Sequence, residues 1–511
     1  MAAPTLGELC EAAASAAGPR FAPPLAVKLG GVDPLGLRQI NFDLMDRVLP
    51  GINNVGRHVR PFVVTAWAWR RAAVRARDAG LSTLAVDRLK DFVDRVEVLY
   101  AWSHFLHEGG ADLPGRDVLA PLLGVASYRF GGAAWRKRRE EREQSTAFTA
   151  AITYGPAMKT LGWLVPDPER SGAMASNPDC VYQDALDAFE ERIKDRLRHP
   201  AFSALGEVEV TSAEARGWRA AWAMDQPTEA ERRAMAHALA GAGAPKARRA
   251  GVALMVSAMG RLPADRSDAG DAAALRRAMC EPGAAGGSGA MEETRLAWRT
   301  VQVRQAFRLA LEALLHWTVG ELLAGPRSTA DLVGAFLGQV PERAAAANAR
   351  AWLADVAAPN PVDAMDAIER ALEAPGGERV AAAVADALAF CLRETPREAA
   401  AFERADRLPL ARARGDAEAW GDEPAAAFLR HVFESWVLAQ HVYWSVGRGL
   451  ADARARGKTL MRLRVVLEDA GWSVAPGVGR GARPVPTRDR LETALTLARE
   501  SGLLPGVGSA A

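Results

Sequence analysis

The side chains best equipped for chemistry in this sequence are arginines, and they are bunched. Between residues 51 and 80 there are six (Arg57, Arg60, Arg70, Arg71, Arg75, Arg77) against a single Asp78, a local balance of +5, with His58, Trp67 and Trp69 among them. Between residues 446 and 490 ten cationic residues face four carboxylates, a balance of +6. A guanidinium presents a planar fork of donors that fits a phosphate and a flat face that stacks on a base. The two tracts therefore predict contact with a nucleic-acid backbone through Arg57, Arg60, Arg70, Arg71 and Arg75 in the first and Arg462, Arg464, Arg480, Arg483 and Arg488 in the second. The plainer alternative is a solvated charged face, or pairing with glutamates elsewhere in the chain.

Metal and acid–base candidates are sparser. On a helix around residue 100, Glu97, Tyr100, His104 and Glu108 share one narrow face at about 100° per residue, with His107 to one side. Two histidines and two carboxylates could hold a metal, but no second helix offers a matching Glu-x-x-His pair, so a buried polar network is the expectation. Glu312 and His316 stand four apart, and Glu434 and His441 share a face seven residues apart, near His431; both sets read as helix neighbours or satisfied core histidines rather than ligands. The expectation is no metal and no cofactor. No phosphate-binding P-loop, Gly-x-Ser-x-Gly elbow, His-Glu-x-x-His or dinucleotide glycine fingerprint is present, and GVGRGARP at 477–484 lacks a preceding strand and reads as a loop. The four cysteines, Cys10, Cys180, Cys280 and Cys391, form no close pair, which argues against a structural zinc site or a disulfide framework.

The elements that must position these residues are helices. Apolar residues recur at three- and four-residue spacing; over 86–106, Leu89, Val93, Val96 and Tyr100 form a stripe opposite Asp87, Lys90, Asp91, Asp94 and Arg95. Comparable patterns cover 61–78, 178–197, 228–239, 292–323, 329–337, 361–372, 379–393, 424–455 and 458–470. WRKRREER at 135–142, with mixed charge, reads as an exposed helix. Short extended pieces are expected only at 207–210 and around 472–485. The fold class predicted is all-α, a multi-domain helical array. Its divisions are an amino-terminal domain at 1–165, middle regions at 179–280 and 291–395, and a carboxyl-terminal unit at 423–504. Breaks are expected at 165–178, at the glycine-rich 280–290 and at 393–422, with a frayed tail at 504–511. The end of the chain reads as a helix at 458–470, a glycine-rich connection at 472–486 and a helix at 487–501 capped by Thr487. That layout suggests a helix-turn-helix or winged unit.

The segment GVDPLGLRQINFDLMDRVLPGINNVGRHVRPFVVTAWAWRR at 31–71 is the most distinctive. Asp33-Pro34 starts a turn, a helix runs to Val48, and Leu49-Pro50-Gly51 stops it, because Pro cannot continue a helix and Gly accepts a positive φ. A second helix buried by Trp67 and Trp69 follows. Over 33–71 the segment resembles the amino-terminal phrase of an uncharacterised family of bacterial helical proteins associated with gene neighbourhoods for defence against phage. Members carry an aromatic-rich run after the LPGI phrase, whereas here Phe62, Trp67 and Trp69 are interspersed with Val63 and Val64. The resemblance implies a helical protein in a bacterial defence setting and brings no enzymatic activity.

Composition bounds the function. With 511 residues, 49% hydrophobic and 25% charged, the chain is an ordinary globular sequence long enough for several domains. Sixty-four Lys plus Arg against 62 Asp plus Glu leave a net charge of +2, so binding to a polyanion must rest on local patches. No secretion signal and no bilayer-length apolar stretch is visible, even at 309–323, which predicts a cytoplasmic protein without a membrane partner. The function expected is a non-catalytic, DNA-associated subunit of a multi-protein bacterial system, sequence-independent in its binding and accompanied by other protein subunits. The alternatives are a helical scaffold for acidic protein partners, and a nuclease whose active site is dispersed along the sequence.

Overall fold

The computed structural model describes residues 33–81, 86–107, 112–141, 155–263, 265–266, 271–286, 289–341, 348–355, 360–374, 379–394, 407–456 and 462–504. Helix dominates them, and strand is confined to three two-stranded antiparallel pairs. No helix among these residues is long and apolar enough to cross a membrane. The chain forms two compact units, each built from separate stretches: unit 1 from Met1–Leu44 and Leu296–Thr487, unit 2 from Met45–Arg295 and Arg488–Ala511. Two of the three divisions fall inside the helices Arg38–Val48 and Gly289–Leu322, and the third follows Thr487; none lies in the glycine-rich 280–290.

Unit 2 is organised by the helices Val59–Asp78 and Val86–Phe105, which pack on each other and on Cys180–Arg192 and Ser212–Trp218. Its core is aromatic: Trp67 meets Phe189 edge-on with ring centroids 5.5 Å apart, and Phe202 meets Trp222 at 5.7 Å. The expected turn is present. Gly51 has φ +82°, Asn53 accepts from the backbone of Val55 and Gly56, and Trp67 and Trp69 are buried. Breaks expected at 165–178 and 280–290 are local features of this unit, a hairpin pairing Leu164–Pro166 with Met174–Ser176 and a short 3-10 turn at Pro282–Ala285. The helix Ala133–Glu141 is less exposed than its charge suggests, since Trp135 is fully buried and Arg139 lies 2.9 Å from Asp91.

Unit 1 is arranged around residues 296–322 of the Gly289–Leu322 helix. Ala306, Phe307, Leu309, Ala310, Leu311, Ala313, Leu314 and Leu315 are all inaccessible, so this helix is buried on every side. Around it lie Thr329–Gly338, Val380–Arg393, Ala425–His431 and Gln440–Arg456, contributing to one contiguous apolar core. Between the last two runs a π-helical segment, Val432–Ala439.

The carboxyl-terminal end departs from the helix–connection–helix layout expected at 458–501 for a helix-turn-helix or winged unit. Residues 457–461 lie outside the described set, and the remainder of the expected helix holds the strand Val465–Glu468, paired with Gly471–Val474. The β-branched pair Val465-Val466 favours extended backbone, and Gly471, at φ +111°, completes the reversal. Residues 475–490 have no regular structure, and the last helix starts at Leu491 with Arg490, not Thr487, at its N-cap. The stretch also divides between the units after Thr487, so it is not one compact module.

Candidate anion-binding site

The first arginine tract lies in unit 2, where each candidate has an acceptor from elsewhere in the unit or from its own helix. Arg57 pairs with Asp112 at 2.8 Å, Arg70 with Asp187 at 2.6 Å and Glu190 at 3.1 Å, and Arg75 with Asp78 at 3.0 Å. Arg71 donates to the carbonyl of Phe202 at 3.1 Å. Arg60 is inaccessible, 2.9 Å from an equally buried Glu231, and burial pulls its pKa down against the attraction of that carboxylate. A phosphate cannot reach Arg60. The +5 balance read from the local sequence is offset by carboxylates up to 171 residues away.

The second tract is different. Arg462, Arg464, Arg480 and Arg483 belong to unit 1, while the exposed Arg488 belongs to unit 2, where its carbonyl accepts from Asn54. Three of the four in unit 1 surround a histidine on the buried helix. His316 is 3% exposed and its pKa is pushed down to about 4, first by desolvation and then by the positive charges of Arg480, Arg464 and Arg483. It is neutral at physiological pH. One turn earlier Glu312 accepts from Arg308 at 2.6 Å and from Arg38 at 3.4 Å. Five guanidinium groups, those of Arg38, Arg308, Arg464, Arg480 and Arg483, thus accompany two carboxylates, Glu312 and Asp33, and the Asp33 pKa is raised by burial and by repulsion from Glu312.

Local structure fixes these groups. Arg308, Glu312, His316 and Gly320 succeed one another at four-residue spacing, which stacks them along one side of the helix. The irregular segment runs along that side: the carbonyl of Val485 accepts from Arg308 at 2.6 Å, and a Cβ on Gly320 would lie 3.3 Å from the Arg480 Nε. The segment therefore runs antiparallel to the helix, with Arg480 toward Gly320 and Val485 toward Arg308, and the Arg483 charge reaches His316. Arg38 is set by the turn at 33–37, whose carbonyls at Asp33, Pro34 and Leu35 accept from Trp444, His441 and Gln440 at 2.9–3.0 Å. The other ring nitrogen of His441 accepts from the Arg464 backbone at 2.8 Å, so one neutral imidazole ties Arg464 to the same turn. Burial drives the His441 pKa down to about 4, consistent with that bridging role.

Two groups at the centre stay unpartnered among the described residues: His316 Nδ1 and Glu312 Oε1 are buried without a hydrogen bond. Arg480 and Arg483 are exposed and form no ion pair among those residues. The arrangement offers an anion exposed guanidinium forks at the rim, a positive field behind them and a neutral imidazole that adds no competing charge. It offers no evident proton shuttle, since Glu312 is engaged by two arginines.

No family model, curated protein or solved structure matches the chain.

The sequence reading named Arg464, Arg480 and Arg483 but missed Arg38 and Arg308, and set His316 and Glu312 aside as helix neighbours. The available signal was an Arg-x-x-x-Glu-x-x-x-His run inside a long helix with a rich apolar stretch at 309–323, where a buried polar stripe needs partners. The other expected cluster remains a buried polar group of unit 2. Glu97 accepts from Thr65 at 2.7 Å, His104 contacts the Tyr100 carbonyl at 2.8 Å, and Glu108 lies outside the described residues. Among those residues no group of three or more His, Cys, Asp or Glu is placed to hold a metal.

Proposed function

We propose that this chain is a non-catalytic, nucleic-acid-associated protein that meets backbone phosphates through the arginine cluster of unit 1. The observation that carries the reading is the pairing status of the arginines. Those of the first tract are matched by internal acceptors, whereas Arg480 and Arg483 are exposed, without ion pairs among the described residues, and gathered on one side of a buried helix. Contacts of this kind are electrostatic and indifferent to sequence. The resemblance of residues 33–71 to proteins of phage-defence neighbourhoods sets this association within a multi-protein bacterial system.

Duplex binding by the full chain should weaken steeply between low and physiological salt, since each neutralised phosphate contributes about −0.9 to the slope of log K against log salt. Arg480→Ala with Arg483→Ala should flatten that slope by about two, without shifting the melting temperature. Arg70→Ala with Arg71→Ala should leave the slope alone and lower the melting temperature. Binding by the Arg480/Arg483 variant that equals the parent's, or no salt-sensitive binding by the parent, would turn the reading toward a scaffold for acidic proteins.

A further inference from the structure

We infer that unit 1 carries a second site, separate from the arginine cluster, that binds a small organic cation with an apolar body. A cleft of about 800 Å³ opens between the π-helical segment and its continuation on one side and the strand pair Val465–Glu468 and Gly471–Val474 on the other. That volume lies within the roughly 300–1,000 Å³ of small-molecule sites. Its walls are apolar, with Leu438, Val442, Val465 and Leu467 prominent, and among the described residues that line it Glu434 alone is charged.

The architecture holds the cleft open. The Trp472 backbone exchanges two hydrogen bonds with Arg327, at 2.8 and 3.0 Å, and its indole donates to Thr329 at 2.9 Å, which pins the strand pair away from the helix. Hydrogen bonding from residue i to i+5 in the π segment turns Glu434 and Ala439 onto the same face, from which Val442 and Tyr443 continue. π segments of this kind recur at functional sites.

The chemistry of the ligand follows from two side chains. Glu434 is half-buried in this apolar surround, and its carboxylate has no hydrogen bond or ion pair among the described residues. A carboxylate partly withdrawn from water and flanked by hydrocarbon selects a cation over a neutral or anionic head group. Tyr443 is 53% exposed at the same wall, and its ring can face a cationic head. Leu467, 63% exposed, and the walls behind it accept the apolar body.

Three ligands with one body and three charges test this on the full chain: 4-phenylbutylamine, protonated at neutral pH, 4-phenylbutanol and 4-phenylbutyrate, with dissociation constants read by saturation-transfer NMR. The ammonium ligand should bind at least about tenfold more tightly than the alcohol, one decade of affinity for one desolvated charge pair, and the carboxylate most weakly. Glu434→Gln should abolish that preference while leaving alcohol binding and the melting temperature unchanged. Tyr443→Ala should weaken the ammonium ligand most. Equal binding of the three, no binding of the amine up to millimolar concentration, or an undiminished preference in Glu434→Gln overturns the proposal. Neither variant touches Arg480 or Arg483, so duplex binding is a separate readout.

Discussion

Burial lowers histidines and raises carboxyls in both units, but unit 1 is weighted toward buried histidines and unit 2 toward buried carboxyls. In unit 1, His316 and His441 are each pushed down to about 4, mainly by desolvation, with Asp33 raised in the opposite sense. In unit 2, His104 is likewise lowered to about 4, but Glu97 is raised to about 7, and burial also raises Asp94 and Glu231. A histidine with a depressed folded pKa is protonated first in the unfolded chain, so its contribution is intact above about 6.5 and is lost as pH falls toward about 4. A carboxyl with a raised folded pKa gains stability over part of the same fall. Acidification from pH 7 to 4.5 should therefore loosen unit 1 before unit 2. Hydrogen exchange should show peptides from 296–322 losing protection while those from 59–78 keep it; loss in the reverse order would contradict the assignment. At the same scale, Arg60→Ala should destabilise unit 2 by about 3–5 kcal/mol, because it strands a buried Glu231. Arg60→Met with Glu231→Leu should recover much of that loss in urea titration, since removing both charges removes the desolvation penalty.

Helical periodicity was legible because it repeats over many turns, and most long helices fall where the apolar spacing put them. The turn at Gly51 was legible for a narrower reason: Leu-Pro-Gly followed by two asparagines leaves few backbone options. A Cβ at Gly51 would also lie 2.8 Å from Thr160 Cγ2, so Gly51→Val should cost about 1–3 kcal/mol, read as a lower denaturation midpoint. An unchanged midpoint would mean the positive φ is not required. The strand Val465–Glu468 was misread as helix, while its partner Gly471–Val474 falls at the start of the stretch expected to be extended; four-residue strands give periodicity too little length, and the pair's decisive contacts, to Arg327 and Thr329, come from more than 140 residues away. The same limit hid the site. Whether an arginine is free depends on carboxylates distant in sequence, which local charge counting cannot see: Arg70 and Arg480 look alike until Asp187 is found beside the first.

Across the whole molecule, each unit depends on stretches that the sequence separates. Unit 2 draws on residues 488–504, which bring Asp489 to Arg276 and Glu500 to His58 and the Val59 backbone. Truncation after Thr487 should thus lower the melting temperature of unit 2 even though it removes no residue of unit 1, and limited proteolysis should then open 45–295. Unit 1 has the complementary gap, its turn at 33–37 being held by Gln440, His441 and Trp444. On a ribosome adding roughly 5–20 residues per second, that turn waits some tens of seconds for the helix that will hold it. The last strand of contacts in unit 2 is made later still. Nascent chains of this protein should consequently stay dependent on chaperones until residues 488–504 have been made, and expression at reduced translation rate should lengthen the interval in which Leu35 and Leu37 are exposed without a core to enter.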